Sequence, residues 1–163
     1  MSYRTSWISV TIVILGLATF IPIAQAQRQD FETRQCNVST YNAVHSSPEL
    51  GISSYDQKGI MQSTHESKLF DNWNLHLVGV MKREGKNFYF HGLSKEIGPD
   101  GEFIIWEFYT ESGVTTAKPI YGTGKWKGVK GERKSTLITT MNPVVPLVFP
   151  FCQKQVGWIE LLK

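Results

Sequence analysis

The sequence predicts an all-β chain: a single antiparallel barrel of about eight strands, preceded by a cleaved signal peptide. Three observations carry that expectation. Short runs of β-branched and aromatic residues recur between clusters of Gly, Pro, Asp and Asn. No stretch after residue 26 sustains the 3.6-residue apolar period of an amphipathic helix. The chain carries 14 Gly and 12% aromatic residues, a composition that suits turn-rich β structure.

The first segment reads as targeting rather than fold, which divides the chain into a signal peptide at 1–26 and a barrel domain at 27–163. Arg4 supplies a positive start, and residues 7–20 form an apolar stretch. That stretch is shorter than the roughly 20 residues a membrane span needs. Pro22 stops any helix there, and Ala24-Gln25-Ala26 offers the small-x-small pattern of a cleavage site before Gln27. No Cys follows the small residues, so a lipid anchor is not indicated, and no later stretch is long enough to span a membrane. The expectation is an exported protein, periplasmic or secreted.

Along the remaining chain, residues 27–35 read as polar and loose and 38–44 as a first strand, with a weak Ser- and Gly-rich stretch at 46–67. From Trp73 the signal sharpens. Residues 74–81 form a strand, Arg83-Glu84-Gly85-Lys86-Asn87 a turn, and 88–93 an aromatic-rich return. Pro99-Asp100-Gly101 is a turn with a mechanism, because Pro presets φ, Asp caps and Gly takes positive φ. Residues 103–109 read as the strongest strand, 121–131 as a glycine-punctuated strand, and 136–140 as another. Pro143, Pro146 and Pro150 break the next apolar run, and 157–162 close the chain.

Composition bounds the function. Apolar residues are 41% and charged residues 19%, which excludes a disordered chain. A net charge of +3 gives no argument for nucleic acid. Cys36 and Cys152 lie near the two ends of the exported chain. In an oxidising compartment the expectation is one intrachain disulfide, against the alternatives of two free thiols or an intermolecular bridge. That bond would make the two ends neighbours, as a closed barrel does.

Gly98-Pro99-Asp100-Gly101-Glu102-Phe103, a strand, and then Tyr121-Gly122-Thr123-Gly124-Lys125-Trp126-Lys127-Gly128-Val129-Lys130-Gly131 form a recognisable combination. It resembles small secreted bacterial β-barrel proteins related to the allene oxide cyclase and dirigent barrels. The matching stretch covers roughly residues 75–140. The acidic turn is reduced here, and Tyr121 stands where those proteins place a Gly. The resemblance implies a fold and carries no catalytic residue onto this chain.

Candidate chemistry is sparse. Glu107 lies among Phe103, Ile105, Trp106, Phe108 and Tyr109. A carboxylate turned among aromatics would have a raised pKa and could anchor a ligand, whereas an outward one would be a surface charge or pair with a Lys. With Trp106, Tyr109, Trp126 and Trp158 it makes up the expected ligand-binding set. Lys125, Lys127 and Lys130 belong to a basic cluster able to hold an anionic partner, or simply to a solvated face. His65-Glu66 lacks the second His of a zinc-protease motif. His76 and His91 find no third metal ligand, so no metal and no cofactor are expected. Asn37-Val38-Ser39 fits the glycosylation sequon. The favoured function is non-enzymatic binding of a small apolar or amphipathic ligand, or of a partner surface. The alternative is a cyclase- or isomerase-type enzyme working in an aromatic-lined lumen.

Overall fold

The computed structural model describes residues 27–161 except 112 and 144. The expected signal segment at 1–26 lies outside the described residues. Eight strands follow in chain order: β1 (Gln27–Ser46), β2 (Leu50–Ser63), β3 (Trp73–Glu84), β4 (Asn87–Ile97), β5 (Phe103–Glu111), β6 (Val114–Gly122), β7 (Lys130–Thr140) and β8 (Val148–Leu161). Each pairs antiparallel with its sequence neighbour, and β1 pairs with β8 to close the barrel. Closure removes the unpaired edges that an open sheet would present. Among the described residues no helix is long and apolar enough to cross a membrane.

Several sequence expectations change in detail. Residues 27–35 are not loose, since they pair with β8 from Gln27↔Leu161 onward. The weak stretch at 46–67 contains the full strand β2, and 114–120, which carried no strand expectation, belongs to β6. The segment expected as a strand around Trp126 is instead a single-turn 3-10 helix, Gly124–Trp126, in the β6–β7 connection. Gly122 suits the turn there, because a Cβ at this position would collide with the Trp126 carbonyl oxygen. The Pro99-Asp100-Gly101 turn forms as expected. Asp100 accepts the Glu102 N–H at 3.1 Å, and Gly101 has φ +81°.

The two barrel ends are built differently. One end collects the β2–β3, β4–β5 and β6–β7 connections, and it is packed shut. Phe70 enters from the β2–β3 loop, 4.6 Å from Phe31, 5.1 Å from Trp73 and 5.7 Å from Trp126 between ring centroids. Phe70 sits at φ +61°, costly for a bulky residue at about 1–3 kcal/mol. Burying its ring contributes about 2–3 kcal/mol and the aromatic contacts add more, so packing outweighs the backbone strain. Outside this end, Lys125 Nζ bonds Asp100 at 2.7 Å and the Lys125 N–H bonds Glu102 at 3.2 Å, tying two connections together. The other end carries the β1–β2, β3–β4, β5–β6 and β7–β8 connections and is open. There Arg83 donates to the carbonyls of Ser47, Pro48 and Gly85, holding two rim turns to each other.

Cys36 and Cys152 are opposite one another across β1 and β8 and form a disulfide, with Cα atoms 4.1 Å apart. This bears out the intrachain pairing. The bond lies on the outer face, because the odd-numbered residues of β1 point inward.

Candidate functional site

The interior of the barrel is polar at mid-height, and the alternation that produces this is plain in β1. Thr33, Gln35, Asn37 and Ser39 point inward and are buried, while Cys36 and Val38 point outward. From β7 comes Arg133 and from β4 comes Glu96, both buried. Arg133 Nη1 donates to Glu96 Oε2 at 2.8 Å, and Arg133 Nη2 donates to Glu96 Oε1. Ser94 Oγ also donates to Glu96 Oε1, at 3.0 Å. The guanidinium rests on the Trp106 ring, 4.3 Å from its centroid. The ion pair thus spans the lumen from β4 to β7, above the packed aromatic end.

Beside it runs a one-way hydrogen-bond chain. Thr33 Oγ1 donates to Gln155 Oε1 at 3.0 Å, Gln155 Nε2 donates to Gln35 Oε1, and Gln35 Nε2 donates to Asn37 Oδ1 at 3.0 Å. Asn37 is therefore an interior residue of the network, enclosed by the barrel wall and inaccessible as a glycosylation acceptor in the folded chain.

Above this floor the lumen opens into a cavity of about 1170 Å³. Its walls include Tyr41, Tyr55, Leu77, Met81, Phe90 and Phe108, and Arg133 contributes to its floor. The space has a cause in the register. One row across the barrel reads Tyr55↔Gly79↔Gly92↔Phe108↔Ala117↔Arg133. Three of those six positions are Gly or Ala, so side chains leave the centre of the barrel unfilled. The glycines are also obligatory. A Cβ on Gly79 would lie 2.8 Å from the Tyr55 hydroxyl, and one on Gly92 would lie 2.9 Å from Phe108 Cζ. Tyr55 and Phe108 therefore lie against the bare backbone and form the aromatic wall. Burial pushes the Tyr55 phenol far above the usual range, with the neighbouring Tyr41 adding to it, so Tyr55 stays neutral. Burial raises Tyr41 as well.

The sequence-expected ligand set is divided by the barrel wall. Trp106 is fully buried inside, beneath the floor. Trp126 is buried in the packed end. Glu107, Tyr109 and Trp158 face outward. Glu107 is exposed and lies 3.1 Å from His91 Nε2, and Trp158 carries the Arg28 guanidinium 4.7 Å over its ring. The reason is elementary: Trp106 and Glu107 are consecutive on β5, and consecutive strand residues point to opposite faces. His76 likewise faces out, 2.8 Å from Asp56, and does not approach His91. In the basic cluster Lys125 is engaged by Asp100, whereas Lys127 and Lys130 are exposed. Arg133, three residues beyond Lys130 in the sequence, is buried and paired with Glu96 inside the lumen. The interior polar residues Gln35, Tyr55, Glu96, Arg133 and Gln155 were not singled out. The signal that could have found Gln35 is the alternation at 35–39, where Gln35, Asn37 and Ser39 turn inward while Cys36 and Val38 turn outward.

No family model and no curated protein sequence matches the chain. Among solved structures the barrel is similar to two described as pterocarpan synthase dirigent proteins. GePTS1 superposes with a TM-score of 0.55 at 10% identity, over 85% of this chain and 87% of that one. PsPTS1 gives 0.53 at 8% identity, over 84% of this chain and 97% of that one. At such identities the likeness establishes the dirigent-like eight-stranded barrel and leaves the activity to the site itself.

Proposed function

We propose that this chain is an exported binding barrel that holds one small amphipathic molecule in its lumen. The carrying observation is the cavity of about 1170 Å³, walled by aromatics, floored by buried polar groups and open at one end. Small closed barrels either fill their interiors or hold a single small ligand. The glycine and alanine row favours the second outcome here. Apolar walls with a few fixed polar groups are the usual make-up of a small-molecule site. The similar solved structures are dirigent proteins by name, which is compatible with a barrel that presents a pocket. The disulfide fits an oxidising compartment, in line with export.

A catalytic role for the buried Glu96 would need its carboxylate free to move a proton. The buried carboxylate of Glu96 is instead committed to three donors from Arg133 and Ser94. Binding is therefore the reading the geometry supports best.

The test is titration of residues 27–163 with Nile red, a neutral probe whose emission rises in apolar surroundings. Thermal stability is followed in parallel, because a ligand that binds only the folded state must raise it. Ala117→Phe, which fills the lumen, should abolish the signal, while Thr116→Phe on the outer face of the same strand should leave it intact. Equal signals from both variants would end the lumen reading.

A further inference from the structure

We infer that the open end of the barrel docks on the surface of a lipid bilayer with uncharged headgroups, through the apolar rim around the lumen mouth. This goes beyond the lumen reading, because the rim stands whether or not the lumen is occupied. Phe88, Leu137, Met141, Leu147 and Phe149 line the cavity and are each between 40% and 61% exposed, so they surround its mouth. Val145, also exposed, stands beside Leu147 in a turn closed by the Val148 N–H donating to the Val145 carbonyl at 3.1 Å. The β7–β8 connection that presents these side chains is anchored. The Leu147 carbonyl accepts the Tyr41 N–H at 3.2 Å, and the Pro150 carbonyl accepts the Met141 N–H at 3.1 Å. A contiguous exposed apolar patch of this kind marks a surface that a partner or a membrane covers.

Charge favours the bilayer over a protein. From Ser135 to Cys152 the chain carries no charged residue. The exposed charges that line the mouth, Lys86 and Glu111, are opposite in sign, and Arg133 at the floor is paired with Glu96. Around the open end Lys82, Arg83 and Lys86 are matched in number by Glu49, Glu84 and Glu111. Such a rim has no single-signed field to register a protein partner or to draw it to anionic lipid. The outer wall differs. Its exposed Val78 lies opposite Asp56, Val80 opposite His91 and Leu93 opposite Glu107, so polar groups interrupt every apolar row.

Backbone strain points the same way. Leu147 holds φ +64°, a costly conformation for a branched side chain, yet more than half of it is exposed. Phe70 recovers a like cost by packing into the closed end. Leu147 gains no such burial within the barrel, and insertion among acyl chains would supply it. The mouth also opens within the rim. A protein cap would seal it, whereas a bilayer seated there adjoins the cavity and lets an amphipathic molecule enter without crossing water, a step that rests on the lumen reading.

The test is flotation of residues 27–163 with dioleoylphosphatidylcholine vesicles. The wild type should rise with the vesicles. Val145→Ser/Leu147→Asn, with Asn suited to the positive φ, should lower vesicle partitioning by at least about tenfold, because two apolar side chains are lost from the contact. Val78→Ser/Val80→Ser on the outer wall should leave it unchanged. Wild-type protein that stays behind, equal flotation of the rim variant, loss in the wall variant, or flotation that requires anionic lipid overturns the inference. A dimer without flotation, abolished in the rim variant, assigns the rim to a second copy and overturns it too. Nile red binding without vesicles is read on the same samples. Its absence beside intact flotation ends the lumen reading and leaves the docking standing.

Discussion

Opening the Cys36–Cys152 bond should destabilise the barrel without changing its architecture, and the size of the effect can be worked from the fold. The bond joins residues 116 apart in sequence, so it closes nearly the whole barrel chain into a loop. The chain-entropy relation assigns a loop of that length about 5 kcal/mol at 25 °C. The native state discounts this little, because β1 and β8 remain paired without the bond, from Gln27↔Leu161 to Thr40↔Val148. The loss therefore falls on the unfolded ensemble, and a measured value of about 2–5 kcal/mol is expected for a small secreted domain. Urea unfolding of wild type and of the Cys36→Ala/Cys152→Ala double variant is the assay. The double variant should unfold at lower urea, by about 2 M for a typical slope, with a steeper slope because its unfolded chain is less compact. Its Nile red binding should survive. An unchanged midpoint would refute the entropic reasoning, and collapse of the far-ultraviolet spectrum in the absence of urea would refute the claim that strand pairing alone closes the seam.

Other expectations follow from the same geometry. Phe70→Ala should cost about 3–5 kcal/mol by opening a void in the packed end, read by thermal unfolding, and a loss under 1 kcal/mol would deny its role as the plug. Arg133→Met should cost about 3–5 kcal/mol, since it strands the Glu96 carboxylate, and the double variant Arg133→Met/Glu96→Leu should recover much of that loss in urea unfolding. The Tyr55 and Tyr41 phenols are raised by burial, so their contribution is complete below the unfolded tyrosine value of about 10 and disappears as pH climbs above it. Tyrosinate absorbance should accordingly show Tyr55 ionising only as the barrel unfolds. At the acid end, Lys154 and Thr64 hold Glu32 below the usual carboxylate range, and Lys125 does the same for Asp100. Their contributions are present above the unfolded carboxylate values and vanish as pH falls through the lowered ones, so Lys125→Met should flatten the acid side of the stability profile.

The all-β class and the turn chemistry were legible because they depend on local residue types. Asp100 and Gly101 do in the structure what their side chains suggest in the sequence. The lumen was far less legible. Binary patterning expects apolar residues inside, and β1 and β2 invert it by turning Gln35, Asn37, Ser39 and Gln57 inward. Residues 27–35 of β1 consequently read as loose and β2 as a weak segment, although 38–44 read as a strand. Arg133 and Glu96 are 37 positions apart and meet only because the barrel closes. No local pattern announces such a pair. Trp126 was expected in the ligand-binding set and is instead packed at the closed end, where glycines at 122 and 124 turn its segment into a 3-10 turn rather than a strand. Glu107 was attractive for its aromatic neighbours, and strand alternation places those on both faces of the wall.

The most direct measurement of the central claim is photolabelling of residues 27–163 with benzophenone, followed by peptide mapping of the attachment sites. The lumen account predicts adducts at inward residues of the cavity wall, Met81 and Leu77 foremost, with competition by Nile red. Adducts confined to outward residues such as Val80 and Leu93, insensitive to Nile red, would contradict it.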